Sequence, residues 1–379
     1  MSPDFNRDVH CLLGLPFDAV DMAGAVARVR GAITSRRPCF LSTPNLNFAV
    51  TALADPAFRD SVLHSDLSLA DGMPLVWVAR LLGIPLAERV AGASLFERLH
   101  SSTGTPIKVF FFGGPDGVAE LACARLGAHS AGMQCVGFEA PGFGSVESMS
   151  GDDCIARINA SGADFLVVSL GARKGQAWIE HNLHRLRVPV VSHLGAVVNF
   201  VAGTVRRAPP WMGRLGLEWL WRIREEPALW RRYGHDGMAL LCLIATRVFP
   251  QWLHERRHAP SPAERNAASV HLTDGGNAVV LTLRGAWVGQ GLTRLRSTFA
   301  QAANDEHSLQ LDLRELSHLD SAVLGLLSLL WSSRVQHGRP WTVLGVHPLL
   351  QHFLHCAGAG YLMQPPAPPR AVHGAAAEC

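Results

Sequence analysis

The sequence around Asp71 offers a carboxylate that could act as a general base. Asp71 stands in SLADGMPLVWVARLLG, directly before Gly72 and an apolar segment with helical periodicity. A carboxylate there could remove a proton from a substrate hydroxyl. It could equally be the N-cap of the following helix, because aspartate is among the preferred capping residues. The local sequence leaves both roles open.

The segment STPN supplies two polar side chains where an apolar run ends. Thr43 and Asn45 stand two residues apart and could hold a sugar hydroxyl or a carbonyl group. The alternative is a turn with Pro44 at its corner, since proline and asparagine are both frequent in turns. Local sequence again does not choose between binding and structure.

The segment FFFGGPDGVAE places three glycines where a strand is expected to meet a helix: Gly113, Gly114 and Gly117. Glycines at such a junction let backbone amides approach a diphosphate at the helix N-terminus. The pattern lacks the complete GxGxxG fingerprint and its downstream acid, which argues against a dinucleotide-dependent dehydrogenase.

Residues 206–233, RRAPPWMGRLGLEWLWRIREEPALWRRY, hold seven arginines, three glutamates and four tryptophans. Arginine binds phosphate oxygens bidentately, and tryptophan favours the boundary between apolar and aqueous surroundings. Together they predict a surface for an anionic, partly apolar partner, such as a lipid-linked diphosphate at a bilayer. The alternative is an amphipathic helix packed on its own domain with solvated arginines.

Alternating strand-like and helix-like segments must position these residues. CFLSTPN (39–45), IKVFFFGG (107–114), DFLVVSLG (164–171) and VPVVSHLG (188–195) read as strands, and VAELACARLGAHS and QAWIEHNLHRL read as helices. This alternation predicts an α/β fold with a mostly parallel sheet covered on both faces. Ligands bind at the carboxyl ends of such strands, where STPN and FGGPDG fall.

Composition limits the classes of function. A net charge of +3 with neutral histidines gives no reason to expect a nucleic-acid partner. The eight cysteines are scattered without a CxxC pair, which favours reduced thiols in a cytoplasmic protein and argues against a zinc site. The N-terminal segment lacks the basic region of a signal peptide. The longest apolar segment, 238–249, is too short to span a membrane.

A length of 379 residues suits two domains. We expect the first domain over 1–205, the arginine- and tryptophan-rich appendage over 206–254 and a linker over 255–267. A second, smaller α/β domain is expected over 268–363. It contains strands SVHLTD, AVVLTLRG, SLQLDLREL and WTVLGV, and helices LTRLRSTFAQAAND, LDSAVLGLLSLLWSSRVQHG and PLLQHFLHCAG. The tail, 364–379, is expected to be disordered.

The order and spacing of STPN, DG, ERVAGASLF, FFFGGPDGVAE, LGARKGQAWIEHN and RAPPWMGRLGLEWLWR resemble the WecG/TagA/CpsF family of bacterial glycosyltransferases. The resemblance covers about residues 10–235. It implies a Rossmann-like fold and inverting transfer from a UDP-sugar to a polyprenyl-diphosphate-linked saccharide. It also implies a role in capsule, exopolysaccharide or related cell-surface polysaccharide synthesis, with no metal or other cofactor.

The same resemblance assigns roles to individual residues. Asp71 is implied to be the base, and Thr43 and Asn45 match pocket positions. Arg89 matches an active-site arginine that could neutralise the leaving diphosphate. Two further arginines, Arg207 and Arg222, fall in the appendage, which in the family closes over the site and meets the membrane. We therefore expect a cytoplasmic protein, peripheral on the inner face of the membrane.

One segment departs from the family pattern GxPxQE. This chain reads GARKGQ over 171–176, so that Gly175 replaces a glutamine that contributes to the pocket. Gln176 could serve from one position along, or Arg173 and Lys174 could reach the phosphates. The alternative function is a catalytically impaired transferase-like scaffold or regulatory protein.

The segment LQLDLRELSHLDSAVLGLLSLL resembles a STAS domain, the fold of anti-sigma factor antagonists, over about 268–363. The resemblance implies a protein partner and a regulatory or recruiting role. Ser321 falls at the phosphorylation position of antagonist members. The alternative is that Asp320 or Ser321 only caps the helix that follows.

Overall fold

The computed structural model describes residues 3–129, 132–214, 216–289 and 291–365. Two compact units divide the chain: a larger one, Leu15–Phe249, and a smaller one formed by Met1–Gly14 together with Pro250–Cys379. The sequence predicts residues 1–14 as part of the first domain, whereas the described residues among them group by their contacts with the C-terminal part. Of the tail predicted over 364–379, residues 366–379 lie outside the described residues.

The strands are β1 Val9–Leu12, β2 Leu15–Asp18, β3 Cys39–Ser42, β4 Leu67–Ser68, β5 Ile107–Gly113, β6 Met133–Glu139, β7 Phe165–Ser169, β8 Val190–His193, β9 Ser269–Asp274, β10 Ala278–Trp287, β11 Ser308–Leu313, β12 Leu316–Leu319 and β13 Trp341–Val346.

The helices of the larger unit are α1 Met22–Ser35, α2 Leu46–Ala54, α3 Pro56–Leu63, α4 Met73–Leu81, α5 Gly92–His100, α6 Val118–His129, α7 Asp152–Ala160, α8 Ala172–Asn182, α9 Val197–Val201, α10 Pro210–Arg214, α11 Glu218–Glu225 and α12 Trp230–Leu243. A 3₁₀ turn over Pro227–Leu229 precedes α12, and a π-helical turn over Ile244–Val248 follows it.

The remaining helices are α13 Phe249–Arg257, α14 Pro262–Asn266, α15 Leu292–Asn304, α16 Ser321–Gln336 and α17 Pro348–Cys356, followed by a 3₁₀ turn over Gly360–Met363.

The larger unit contains a six-stranded sheet in the order β4-β3-β8-β7-β5-β6, in which every pairing is parallel. The predicted α/β class is confirmed, because each apolar run read as a strand lies in this sheet. The carboxyl ends of β3, β8, β7 and β5 meet along one edge, which brings together loops far apart in sequence.

Apolar side chains cover both faces of this sheet. Successive residues of β5 alternate between the faces, so that Phe111 joins one buried cluster while Phe110 and Phe112 join the other. This two-residue period is the geometry of an extended strand. Phe112 stacks on Trp178 of α8 with ring centroids 4.1 Å apart. The two cores hold the edge loops on a rigid base.

One expectation about the cysteines is wrong. Cys123 in α6 and Cys135 in β6 are joined by a disulfide, although they are 12 residues apart and form no CxxC pair. The helix packs beside the strand that follows it, and the Cα atoms of the two cysteines are 5.2 Å apart. The other cysteines of the described residues are not disulfide-bonded: Cys11, Cys39, Cys154, Cys242 and Cys356.

The smaller unit has a mixed sheet in which β10 pairs antiparallel with β9 and parallel with β11 and β12, and β11 pairs parallel with β13. Helix α16 is buried over most of its length, as its apolar sequence requires. Strand β1 lies against α16 at Gly325, where a Cβ atom would come 2.8 Å from the carbonyl oxygen of Val9. This close approach explains why the N-terminal residues group with the smaller unit.

Two expectations for the smaller unit need correction. The predicted single strand SLQLDLREL is interrupted, because Arg314 folds back to donate two hydrogen bonds to Asp312 and ends β11 before β12 begins. The segment predicted as a linker contains the end of α13 and the short helix α14. Ser261 and Glu264 cap the N-terminus of α14 with a reciprocal capping box.

Candidate active site

A polar group lies at the carboxyl edge of the larger sheet, where the loops after β3 and β4 meet the start of α5. The backbone amide of Asp71 donates a hydrogen bond to the carbonyl of Pro44 at 2.9 Å, which ties these two loops together. Gly92 opens α5 beside them. A Cβ atom at Gly92 would lie 3.1 Å from the side chain of Thr43 and 2.5 Å from Cδ2 of Leu194, so a larger residue would require these side chains to shift.

The carboxylate of Asp71 is partly enclosed, with 30% of its side chain exposed. It does not cap α4, whose N-cap is Gly72 without a side-chain bond. Instead, its Oδ2 accepts a hydrogen bond from the backbone amide of Gly92 at 3.2 Å. Burial raises the pKa of Asp71 to about 6, and nearby Glu218 adds to that rise. A carboxylate with this pKa can accept a proton near neutral pH.

Arg89 connects Asp71 to the appendage. Its Nε lies 3.9 Å from Oδ1 of Asp71, and its Nη2 donates a hydrogen bond of 2.5 Å to Oε2 of Glu218. Glu218 is the first residue of α11, and sequence reasoning did not single it out. Its segment, GLEWLW, carries no local signal that this acid pairs with an arginine in another element. The pairing places one end of the appendage directly beside Asp71.

Thr43 and Asn45 flank the same group of residues. Thr43 is buried. Asn45 is the N-cap of α2, and its Oδ1 accepts a hydrogen bond from the backbone amide of Phe48 at 3.1 Å. Gly72 lies beside it, since a Cβ atom there would be 3.8 Å from Cβ of Asn45. The side-chain oxygen of Asn45 therefore caps α2. Its amide nitrogen is the group that could bind a ligand.

Gly113 ends β5 further along the same edge, and Gly114 follows it in the loop. Both have positive φ, 84° and 98°. A Cβ atom at Gly113 would lie 2.8 Å from the carbonyl oxygen of Ser169, so close packing against β7 already requires glycine there. Gly114 has more room, and its nearest neighbour would be Val198 at 3.6 Å. Two strands, β8 and β7, lie between these residues and β3, which Thr43 follows.

Arg207 and Arg222 converge on Phe200 of α9, with guanidinium carbons 5.7 and 5.5 Å from the ring centroid. Arg207 also pairs with Glu97 and donates a hydrogen bond to the Ser94 hydroxyl at 2.9 Å. A cavity of about 560 Å³ opens beside Arg207, between α5, α6 and α9. It is lined by Ala93, Phe96, Leu126, Val197 and Val201, with Arg125 among its polar groups.

Two segments of the chain match known protein families. Residues 10–257 match the glycosyl transferase WecG/TagA/CpsF family, and residues 270–364 match the Mlab, STAS domain family. The first match covers well over half of the chain. The chain belongs to the WecG/TagA/CpsF glycosyltransferase family. It carries a STAS domain as its second module.

Three relatives of this WecG/TagA/CpsF chain share the name N-acetylglucosaminyldiphosphoundecaprenol N-acetyl-beta-D-mannosaminyltransferase. The Bacillus spizizenii protein is 29% identical over 201 residues, 53% of this chain and 76% of the relative. The Bacillus subtilis protein is 28% identical over 231 residues, 61% of this chain and 86% of the relative. A Staphylococcus aureus protein is 25% identical over 226 residues, 59% and 86% of the two chains.

The segment that departs from the family pattern is held by other contacts. Gln176 is buried, and its Nε2 donates a hydrogen bond to the Ser42 hydroxyl at 2.9 Å inside the domain. Arg173 pairs with Asp55 at 3.5 Å, and the Lys174 ammonium donates to the carbonyl of Gly144 at 2.9 Å. The structure therefore does not bring Gln176 to the group around Asp71.

In the STAS module, Ser321 is the first residue of α16. The N-cap is Asp320, whose Oδ1 accepts hydrogen bonds from the amides of Ala322 and Val323 at 3.0 and 2.9 Å. The Ser321 hydroxyl is instead hydrogen-bonded to Nδ1 of His10 in β1, 2.9 Å away. Asp320 thus accounts for the capping role, and Ser321 has a separate contact.

Within the described ranges, 3–129, 132–214, 216–289 and 291–365, no three His, Cys, Asp or Glu side chains come together as a metal site would require. No helix within the same ranges is both long enough and apolar enough to cross a bilayer.

Proposed function

We propose that this protein transfers a sugar from a UDP-sugar donor to a polyprenyl-diphosphate-linked saccharide during cell-surface polysaccharide synthesis, inverting the anomeric carbon. The relatives' names describe an acceptor of that kind. The observation that carries the proposal is the grouping of Asp71, Arg89 and Glu218. A carboxylate of raised pKa beside a guanidinium, at the carboxyl edge of the sheet, supports the assignment of Asp71 as the base.

Each group has one task in an inverting transfer. Asp71 takes the proton of the acceptor hydroxyl as the oxygen forms its bond to the anomeric carbon. On the opposite face of the sugar, the bond to the diphosphate oxygen breaks and UDP leaves with its electron pair. Arg89 stabilises the charge that develops on the leaving diphosphate. One carboxylate and one guanidinium are sufficient for this sequence.

The acceptor diphosphate and its lipid are assigned to the neighbouring surface. Arg207 and Arg222 offer guanidinium groups suited to phosphate oxygens. The apolar part of the cavity beside Arg207, formed by Ala93, Phe96, Leu126, Val197, Phe200 and Val201, suits the first part of an isoprenoid chain. An amphiphile bound in this way would bring its sugar toward the Asp71 group.

The direct test uses the full-length protein with a panel of UDP-sugars and a polyprenyl-diphosphate-linked N-acetylglucosamine. We expect acceptor-dependent release of UDP with one donor and no release without acceptor. The alternative is a scaffold that acts through its STAS domain. The feature that favours this alternative is Gly175, which lacks the side chain that the family's glutamine contributes to the pocket. A chain that neither binds UDP nor releases it would support that alternative.

We place the protein at the inner membrane surface through its appendage. Large apolar side chains are exposed along the segment, among them Trp211, Trp219, Leu220, Trp230, Met238 and Leu241. Arginines lie over the aromatic rings, such as Arg231 over Trp230 at 5.7 Å. Tryptophan and leucine can enter the acyl boundary while arginine meets anionic headgroups.

Replacing Trp230 and Leu241 by serine is expected to weaken binding to phosphatidylglycerol vesicles roughly tenfold or more, because the variant loses two apolar side chains that insert into the bilayer. These side chains are 59% and 62% exposed, so the fold should tolerate the change. Vesicle sedimentation at low and high salt measures the effect. Phe143→Ser is the matched control, since Phe143 is fully exposed but outside the appendage. Equal loss in the control would remove the appendage as the anchor.

We assign a regulatory or recruiting role to the STAS module, with Ser321 as its control point. The hydroxyl of Ser321 helps to hold β1 on α16 through His10. Phosphorylation would add about two negative charges between His10 and Asp320. The helix N-terminus tolerates that charge, whereas the contact to β1 would be replaced. Release of β1 would change the surface offered to a protein partner.

Ser321→Ala and Ser321→Asp are both expected to speed amide exchange in residues 9–12, with the larger effect for aspartate. Alanine removes one hydrogen bond, worth about 1 kcal/mol, and aspartate adds a carboxylate beside Asp320. Hydrogen exchange with mass spectrometry measures this locally. Ser297→Asp, an exposed change in the same unit, is the control. Wild-type exchange in both Ser321 variants would show that this contact does not hold β1.

A further inference from the structure

The imidazole of His193 fills the space over Gly175. His193 ends β8, and Gly175 lies in the first turn of α8. A Cβ atom at position 175 would lie 2.2 Å from Cδ2 of His193 and 2.9 Å from its Cγ. Any side chain at 175 would therefore collide with the ring. The absence of a side chain at Gly175 in α8 therefore makes room for the imidazole of His193 in β8.

A second glycine borders the same ring. A Cβ atom at Gly195 would lie 3.2 Å from Nε2 of His193, and one at Gly175 would lie 3.1 Å from the same nitrogen. Nε2 is buried and has no hydrogen-bond partner within the described residues. Burial lowers the pKa of His193 to about 4, so the ring is neutral at physiological pH. A neutral imidazole can donate one hydrogen bond and accept another.

The position of His193 connects it to the Asp71 group. Strand β8 lies beside β3, whose end carries Thr43. The next residue, Leu194, packs against Gly92, whose amide holds the carboxylate of Asp71. Elsewhere in the segment over 171–176, Arg173 and Lys174 are engaged in other contacts. Gln176 donates from Nε2 to Ser42, while its Oε1 is buried with no hydrogen-bond partner in the described residues. His193 is the polar group that occupies the place of a side chain at 175.

We propose that His193 is a substrate-binding residue of this site, whose imidazole replaces a side chain at position 175 and hydrogen-bonds an uncharged hydroxyl or amide group of the donor sugar. The inference rests on the proposed transferase function. It explains how the chain can depart from its family at Gly175 and remain an enzyme. It also assigns the unpartnered ring nitrogen to a ligand, because buried polar atoms normally have partners.

The test is an exchange of the two side chains in the full-length protein. His193→Ala is expected to raise the KM for the UDP-sugar about tenfold, the usual effect of one lost hydrogen bond with its packing, with a smaller change in kcat. His193→Gln should retain more activity. Gly175→Gln alone should lose activity and thermal stability, because the ring already fills that space. The double variant Gly175→Gln/His193→Gly should recover both.

The outcomes separate this inference from the function on which it rests. If the wild type is active and the donor KM of His193→Ala lies within about twofold of the wild-type KM, the assignment of His193 is overturned but the transferase function stands. Wild-type stability of Gly175→Gln would do the same, because it would place the ring elsewhere. A wild-type protein that neither binds UDP nor transfers sugar would overturn both.

Discussion

Asp71→Asn is expected to lower turnover by about 10²-fold or more, because the variant can no longer accept the acceptor proton. Binding of UDP should persist, since Arg89 remains in place. The same variant should be more stable than the wild type at pH 7.5. Burial raises the pKa of Asp71 from 3.8 to about 6, so the charged form costs the folded state free energy at neutral pH. Removing the charge relieves that cost.

The pH dependence of this effect has a definite sign. Below pH 3.8 the carboxyl is protonated in both folded and unfolded chains, and the asparagine variant gains nothing. As pH rises through about 6, the wild type loses the stability associated with the protonated form, and the variant gains on the order of 1–3 kcal/mol. That gain corresponds to a few degrees in Tm. Thermal unfolding at pH 4 and pH 7.5 measures it.

Two controls accompany Asp71→Asn. Asp153→Asn removes an exposed carboxylate from α7 and should change neither turnover nor the pH dependence of stability. In the wild type, kcat/KM should fall about tenfold per pH unit below pH 6, since it reports the base in the free enzyme. A flat profile down to pH 5, or normal turnover of Asp71→Asn, would show that another group takes the proton.

The strands and their edge were predictable because they depend on local patterns. The apolar runs over 107–114 and 164–171 form β5 and β7, and polar residues after β3 and β4 meet at the carboxyl edge as parallel strands require. Asp71 could be singled out from its local sequence, and the resemblance to the family implied the roles of Asp71 and Arg89. Their partner Glu218 could not be singled out, since it is 129 residues from Arg89 and resembles any acid on an amphipathic helix.

Other features depended on contacts that sequence does not encode locally. One step along a helix turns a side chain by about 100°, so Gln176 enters the interior and cannot stand in for a residue at 175. The ring of His193 belongs to a different strand, and its fit over Gly175 is visible only in three dimensions. The contact of His10 with Ser321 spans 311 residues, which is why residues 9–12 looked like part of the first domain.

Arg89→Ala is expected to lower turnover by about 10²–10³-fold, the loss typical of removing one group that stabilises developing charge. Arg89→Lys keeps the charge but loses the fork that bonds Glu218 while facing Asp71, so it should recover only part of the rate. Glu218→Gln should cost less, about tenfold, because it weakens the positioning of Arg89 but leaves the cation.

Steady-state rates and UDP affinity, measured together, distinguish these roles. If Arg89 stabilises the departing diphosphate, Arg89→Ala should lower kcat more than it weakens UDP binding, since the added charge develops in the transition state. Arg98→Ala, an exposed arginine on α5, should leave both unchanged. Turnover of Arg89→Ala within about tenfold of wild type would assign the leaving diphosphate to other cations. Arg207 and Arg222, which converge on Phe200, would then be the next residues to replace.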